Sequence, residues 1–169
     1  MAAEREDRFH HLDDSGRPRM VDVGDKEVSD RRAVAAGRLR LSEAGWKVLR
    51  HPGENSKGDP LSVAQVAAVQ AAKRTGDWIP LAHPLPLTKV EVRWTPHEGH
   101  RVLEVEVEVR TISRTGVEME ALTATAAALL TVYDMLKGVD RGMILGPVWL
   151  RAKEGGRSGT WNAADPPLA

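Results

Sequence analysis

Several polar side chains stand where a small, highly charged molecule could be held and protons moved. Lys57 precedes an Asp59-Pro60 helix start, beside amides able to bind an anion. Lys73 falls near the other end of that helix. His83 is held between prolines in Ile79-Pro-Leu-Ala-His-Pro-Leu85, which restricts its backbone. Asp134 and Lys137 are three residues apart on a helix and so share a face, a pair that taken alone reads as a surface ion pair. Lys153 and Arg157 flank Gly155-Gly156, making a basic, glycine-containing segment able to wrap phosphates. These residues alone describe a soluble α+β domain that binds a small polyanion.

Other chemistries are excluded. The chain has no cysteine, which removes thiolate nucleophiles, disulfides, iron–sulfur clusters and Cys-ligated zinc. It contains no P-loop, GxGxxG, GxSxG or HExxH pattern. His97 and His100 flank Glu98-Gly99 in a turn, and no metal site is expected there. The 24 basic and 24 acidic residues give zero formal net charge, unlike the basic excess of nucleic-acid or membrane-surface proteins. The charged N-terminal residues do not form a signal peptide, and no apolar run approaches the roughly 20 residues of a membrane span. The expected location is the cytoplasm.

The elements that must position these side chains follow from periodicity and caps. Met20–Val23 and Ala33–Leu41 read as short strands around a charged stretch, and Ser42 caps a helix through Trp46 and Leu49 that stops at Pro52-Gly53. The next helix runs from Pro60 to about Thr75, with Gly76 as terminator. A hairpin follows, its inward residues Val90, Val92 and Trp94 on one strand and Leu103, Val105, Val107 and Val109 on the other. Lys89, Glu91 and Arg93 oppose Glu104, Glu106, Glu108 and Arg110 on what reads as a solvated face. A long helix spans Glu118 to Lys137, with Met119, Leu122, Ala126, Leu129, Tyr133 and Leu136 as its core stripe. A last strand, Met143–Ala152, is broken by Gly146-Pro147. The expected organisation is a mobile polar arm over 1–16, a single domain over 17–159 and a flexible tail over 160–169. The fold class is α+β, an antiparallel sheet covered by helices on one face.

The order of motifs adds a resemblance. Met20-Val-Asp-Val23, Lys57-Gly-Asp59, Val69-Gln-Ala-Ala-Lys-Arg-Thr75, Ile79 to Leu85 and Lys89-Val-Glu-Val92 are followed by Thr115-Gly-Val-Glu-Met-Glu-Ala-Leu-Thr-Ala124, Tyr133-Asp-Met-Leu-Lys137, Gly146-Pro-Val148 and Ala152-Lys-Glu-Gly-Gly-Arg-Ser-Gly159. In this order they resemble the molybdenum cofactor biosynthesis protein C family, the cyclic pyranopterin monophosphate synthases.

The resemblance implies a ferredoxin-like fold, a hexamer built as a trimer of dimers, and no cofactor. It implies conversion of 3′,8-cyclo-7,8-dihydro-GTP to cyclic pyranopterin monophosphate with release of diphosphate, a phosphorus–oxygen lyase reaction. Carried onto this chain, Asp134 takes the position of the catalytic acid/base, and Lys57 and Lys137 match essential lysines. Leu81, Ala82, His83, Met119 and Glu120 match substrate-binding segments, while Arg31, Lys73 and Lys153 match phosphate or base contacts. The family commonly has Cys where this chain has Ala82, so position 82 is expected to supply backbone and shape. Neither spacing nor resemblance says which lysine is the general base, or assigns Mg²⁺ to the leaving diphosphate. Two rivals are a nucleotide-sensing domain, which would not need Asp134 beside Lys137, and an RNA-binding module, which would need more strand aromatics than Trp94.

Overall fold

The computed structural model describes residues 12–13, 15–51 and 58–168. Lys57, the Pro52-Gly53 stop and most of the 1–16 arm lie outside the described residues. The elements are β1 (Ser29–Arg40), α1 (Glu43–Arg50), α2 (Pro60–Lys73), α3 (Thr75–Trp78), β2 (Leu87–His97), β3 (Val102–Ser113), α4 (Glu118–Leu136), β4 (Ile144–Glu154) and β5 (Trp161–Asn162). They form one antiparallel sheet in the order β2-β3-β1-β4-β5. Its first four strands, with α2 and α4 as crossovers, make the β-α-β-β-α-β ferredoxin-like arrangement.

Local chemistry sets the elements. Ser42 Oγ accepts from Gly45 N at 3.2 Å to start α1. The Asp59 carboxylate accepts from Leu61 N and Ser62 N at 3.1 and 3.2 Å, and Pro60 occupies the first turn of α2. That helix stops at Lys73 rather than Thr75. Thr75 Oγ1 donates to the Ala71 and Ala72 carbonyls, and the chain restarts as the single turn α3. Gly76 sits inside that turn and is not its terminator.

The hairpin has the expected register, with Val90, Val92 and Trp94 opposite Val109, Val107 and Val105. Alanines of α2 (64, 68, 72) and α4 (121, 124, 128) are buried in the core shared with the sheet. α4 also lies directly on β1. A Cβ at Gly37 would meet Leu129 Cδ1 and Thr125 Cγ2 at 2.8 Å, so glycine is required by this close approach. By length and composition α4 could cross a membrane, yet its buried residues face α2 and the sheet as those of a core helix do.

Further expectations need correction. Met20–Val23 is not a strand, because β1 begins at Ser29 and Ser113 pairs its first residue. Asp30, Arg31 and Arg32 belong to β1, with Arg32 reaching Glu108 at 2.7 Å. The buried stripe of α4 is Ala121, Ala124, Thr125, Ala128, Leu129, Val132 and Leu136, so Met119 and Ala126 turn away from the deepest core while Leu122 and Tyr133 pack at its edge; small residues allow the closer approach. β4 is not broken at Gly146-Pro147 but carries a register shift between Gly37 and Leu39 of its partner.

The last correction is the outer sheet face. Glu104 and Glu108 are buried there, not solvated. Burial opposes ionisation of Glu108, but Arg32, Lys89 and Arg110 outweigh it and hold the carboxyl at about 2. Glu104 is gripped by Arg38 and Arg151, each at 2.8 Å. Removing one partner of such a buried network strands the others, at a cost of about 3–5 kcal/mol. Alternation revealed which residues share this face, but not the segment 161–168 that runs beside them.

Candidate functional site

One end of the sheet gathers the start of β1, the end of β3, the start of α4 and the end of β4. Two adjoining hollows open there, of about 860 and 600 Å³. Lys26, Thr115, Gly116, Glu118 and Arg157 line both, so they form one elongated cleft.

The larger hollow is polar. Arg31, Arg114 and Lys153 join Lys26 and Arg157 in it, against Asp25, Glu27, Glu118 and Glu154. Arg31 is held by the end of β3, donating from Nε to the Ser113 carbonyl and from its terminal nitrogen to the Arg114 carbonyl, both at 3.3 Å. Glu154 is drawn to Arg32 at 2.7 Å, leaving more of the cationic surface for a ligand. Gly155 and Gly156 have φ of 93° and 73°, and a Cβ on either would overlap the Asp30 carbonyl or the Arg31 guanidinium. Only glycine lets this loop close against β1. Lys153 donates to Ser158 across the loop. Convergent cations of this kind suit a polyphosphate, with arginines offering forked donors.

The smaller hollow is lined by Val21, Asp22, Val23, Leu81, Ala82, His83, Leu85, Met119 and Glu120 together with the shared residues. His83 Nε2 lies 2.9 Å from the Val21 carbonyl, and Thr111 Oγ1 donates to the Pro86 carbonyl at 2.7 Å. These bonds fix the proline-rich segment, which has no ladder of its own. Glu120 is only 4% exposed and makes no ion pair among the described residues. Burial pushes its carboxyl up to about 7, partly opposed by its own backbone N–H and reinforced by Glu118. A carboxyl poised near neutrality can give or take a proton.

Seven of the sequence-expected site residues therefore meet in this cleft: Arg31, Leu81, Ala82, His83, Met119, Glu120 and Lys153. Three others line neither hollow. Lys73 ends α2. Asp134 and Lys137 sit at the far end of α4, joined at 2.6 Å with side chains about half exposed. Asp134 holds the Lys137 ammonium above its usual range, the opposite of what a lysine base at neutral pH needs. Lys26, Arg114 and Glu118 were missed. Lys26 was hidden in a stretch that read only as charged, though basic residues beside the Gly24 and Gly116 turns were a usable signal. Arg157, expected with Lys153 and Gly155-Gly156 in a segment able to wrap phosphates, lines both hollows.

Comparison with known proteins gives the same direction. The description "MoaC family" matches residues 20–156. A protein of Thermomicrobium roseum, named cyclic pyranopterin monophosphate synthase, is 57% identical over 155 residues, covering 92% of this chain and 93% of that relative. The family match includes both ends of α4 and every lining residue of the two hollows except Arg157 and Ser158, and the chain belongs to the MoaC family.

Proposed function

We propose that this chain is a cyclic pyranopterin monophosphate synthase. It converts 3′,8-cyclo-7,8-dihydro-GTP to cyclic pyranopterin monophosphate and releases diphosphate, in molybdenum cofactor biosynthesis. The observation that carries this reading is the continuity of a cationic hollow with one holding a buried carboxyl that makes no ion pair among the described residues.

The triphosphate lies along Lys26, Arg31, Arg114, Lys153 and Arg157. A ribose-derived oxygen attacks the α-phosphorus, the bond to the bridging oxygen of the β-phosphate breaks, and diphosphate leaves with that electron pair. Cations along the leaving group stabilise the charge it gains. The purine-derived end lies against Leu81, Ala82, His83 and Met119. Opening and reclosing its rings needs proton transfers, for which Glu120 is suited.

Asp134 and Lys137 complete the site from a neighbouring subunit, and Lys57 is the other essential lysine that the resemblance implies. Glu120 and Asp134 are 14 residues apart on α4, about 21 Å at 1.5 Å per residue, so one helix does not bring both to one reacting atom. Exposed apolar residues on the helices and their connections, Val63, Val66, Leu130 and Val139, suit close association between copies. The assembly is a homo-hexamer, a trimer of dimers, and the protein is cytoplasmic. Lys73 contacts substrate only across such an interface. Trp94 packs towards the core, which disfavours RNA stacking on the central strands.

The test is to incubate purified protein with 3′,8-cyclo-7,8-dihydro-GTP and follow pterin and diphosphate. Stoichiometric appearance of both is expected. Unchanged substrate, under conditions where the Thermomicrobium relative turns it over, would refute the reading.

A further inference from the structure

The basic loop of the larger hollow is not a free chain end. It leaves β4 at Glu154 and returns as β5, where Trp161 and Asn162 pair with Lys153 and Ala152. Ala163 N then donates to the Arg151 carbonyl at 2.9 Å. Beyond it the Asp165 carboxylate takes both sides of the Arg151 guanidinium, each at 2.8 Å, and accepts from Trp149 Nε1 at 3.3 Å. Arg38 donates to the Pro166 and Pro167 carbonyls at 2.7 and 2.8 Å.

Both arginines are themselves fixed. Arg151 reaches Glu104 and Glu106 at 2.8 and 2.6 Å, Arg38 reaches Glu104 at 2.8 Å, and the two guanidinium groups flank the Trp149 ring at 5.4 and 4.9 Å. Residues 165–167 are thus tied to the charged network of the outer face. At its other end the loop is tied by the Arg32–Glu154 pair.

We infer that residues 161–167 are a strap that holds the Gly155–Ser158 loop over the cleft, and that Asp165 is a positioning residue for phosphate binding through Arg157. Without the strap, the residues after Glu154 would be anchored on one side only, and a segment so held readily loses order. With it, the loop is closed at both ends and Arg157 is presented to both hollows at a lower ordering cost on binding. The inference rests on the activity proposed above for its substrate, but not for its geometry.

Full-length Asp165→Ala and Asp165→Glu proteins provide the test, by timed tryptic digestion with mass spectrometry and by steady-state kinetics. Asp165 is half exposed, so folding should persist in both. Cleavage after Arg157 is expected to speed up about five-fold in the alanine variant while other sites keep their rates, since local opening is set by local bonds. KM should rise about five-fold with kcat retained, and glutamate should restore part of both effects. Unchanged cleavage after Arg157, or faster cleavage at every site together, would overturn the strap. Faster cleavage at Arg157 with an unchanged KM would overturn the positioning role. An inactive wild type would count against the proposed function, while digestion would still test the strap.

Discussion

At its N-terminal end α4 buries Glu120 in a cleft, with no cation paired to it among the described residues, and its carboxyl is pushed up to about 7. At its C-terminal end Asp134 and Lys137 lie in the open, bound to one another, with the ammonium held above its usual range. The same helix thus offers one carboxyl ready to exchange a proton and one neutralised by its neighbour. An exposed ion pair contributes little to stability, about 0–1 kcal/mol, so fold does not explain the residues at the second end. Under the proposed function, the difference is what a site shared between chains would require, with the exposed pair acquiring its chemistry where another subunit covers it.

The largest expected effect breaks the comparison at the exposed end. Asp134→Asn or Lys137→Ala should lower kcat by about 10³-fold or more, as loss of a general acid–base group does. The melting temperature should move little, since surface changes stay within about 0.5 kcal/mol. Wild-type rates in either variant would return the pair to a surface role.

Mixing sharpens the same point. Glu120→Ala and Asp134→Asn chains, each inactive alone, should recover about a quarter of wild-type activity after dissociation and reassembly at equal amounts. In a random isologous pairing half the dimers are mixed, and each mixed dimer holds one site with both residues intact. No recovery, with subunit exchange shown by mass, would mean that both residues serve a site within one chain.

At the buried end, Glu120→Gln should cost about 10²-fold in kcat and change the pH dependence of stability. A carboxyl raised from 4.5 to about 7 on folding binds a proton in the native state that the unfolded state lacks. Wild-type stability should therefore fall as pH rises from about 4.5 to about 7, and change no further above it. Discounted for partial solvent access, the drop is about 1–2 kcal/mol, or a few degrees of melting temperature. The glutamine variant should lose this slope. A parallel slope in both proteins would show that another group titrates.

These two ends differ too in how legible they were. The Asp59-Pro60 cap, the valine register of the hairpin and the span of α4 follow from short-range rules that tertiary contacts did not override. Glu120 carried no local sign of burial, because its depth depends on the 81–85 segment folding over the helix start. Periodicity placed Met119 in the core stripe, yet 39% of it is exposed, since the alanines around it set the helix rotation. Glu104 and Glu108 alternate as solvated residues do. Only the positions of Arg38 and Arg151 around Glu104, and of Arg32, Lys89 and Arg110 around Glu108, convert them into buried networks. The cleft's cations come from four separate segments, which spacing along the chain cannot join.

The smallest expected effect is none at all, and it tests the buried end's wall. Ala82 stands in the smaller hollow at the position where the resemblance expects cysteine, and the whole chain lacks a thiol. If that wall serves by shape, iodoacetamide under thiol-selective conditions should leave turnover unchanged. Ala82→Cys should then alter kcat by less than about two-fold, since a thiol among apolar residues behaves as a small hydrophobe. The variant should also become sensitive to iodoacetamide, because the added carboxymethyl group would fill space meant for substrate. That combination confines position 82 to shape. An inactive wild type rescued by Ala82→Cys would instead make the thiol part of the chemistry, and would leave Glu120 unable to account for proton transfer at this end of the cleft.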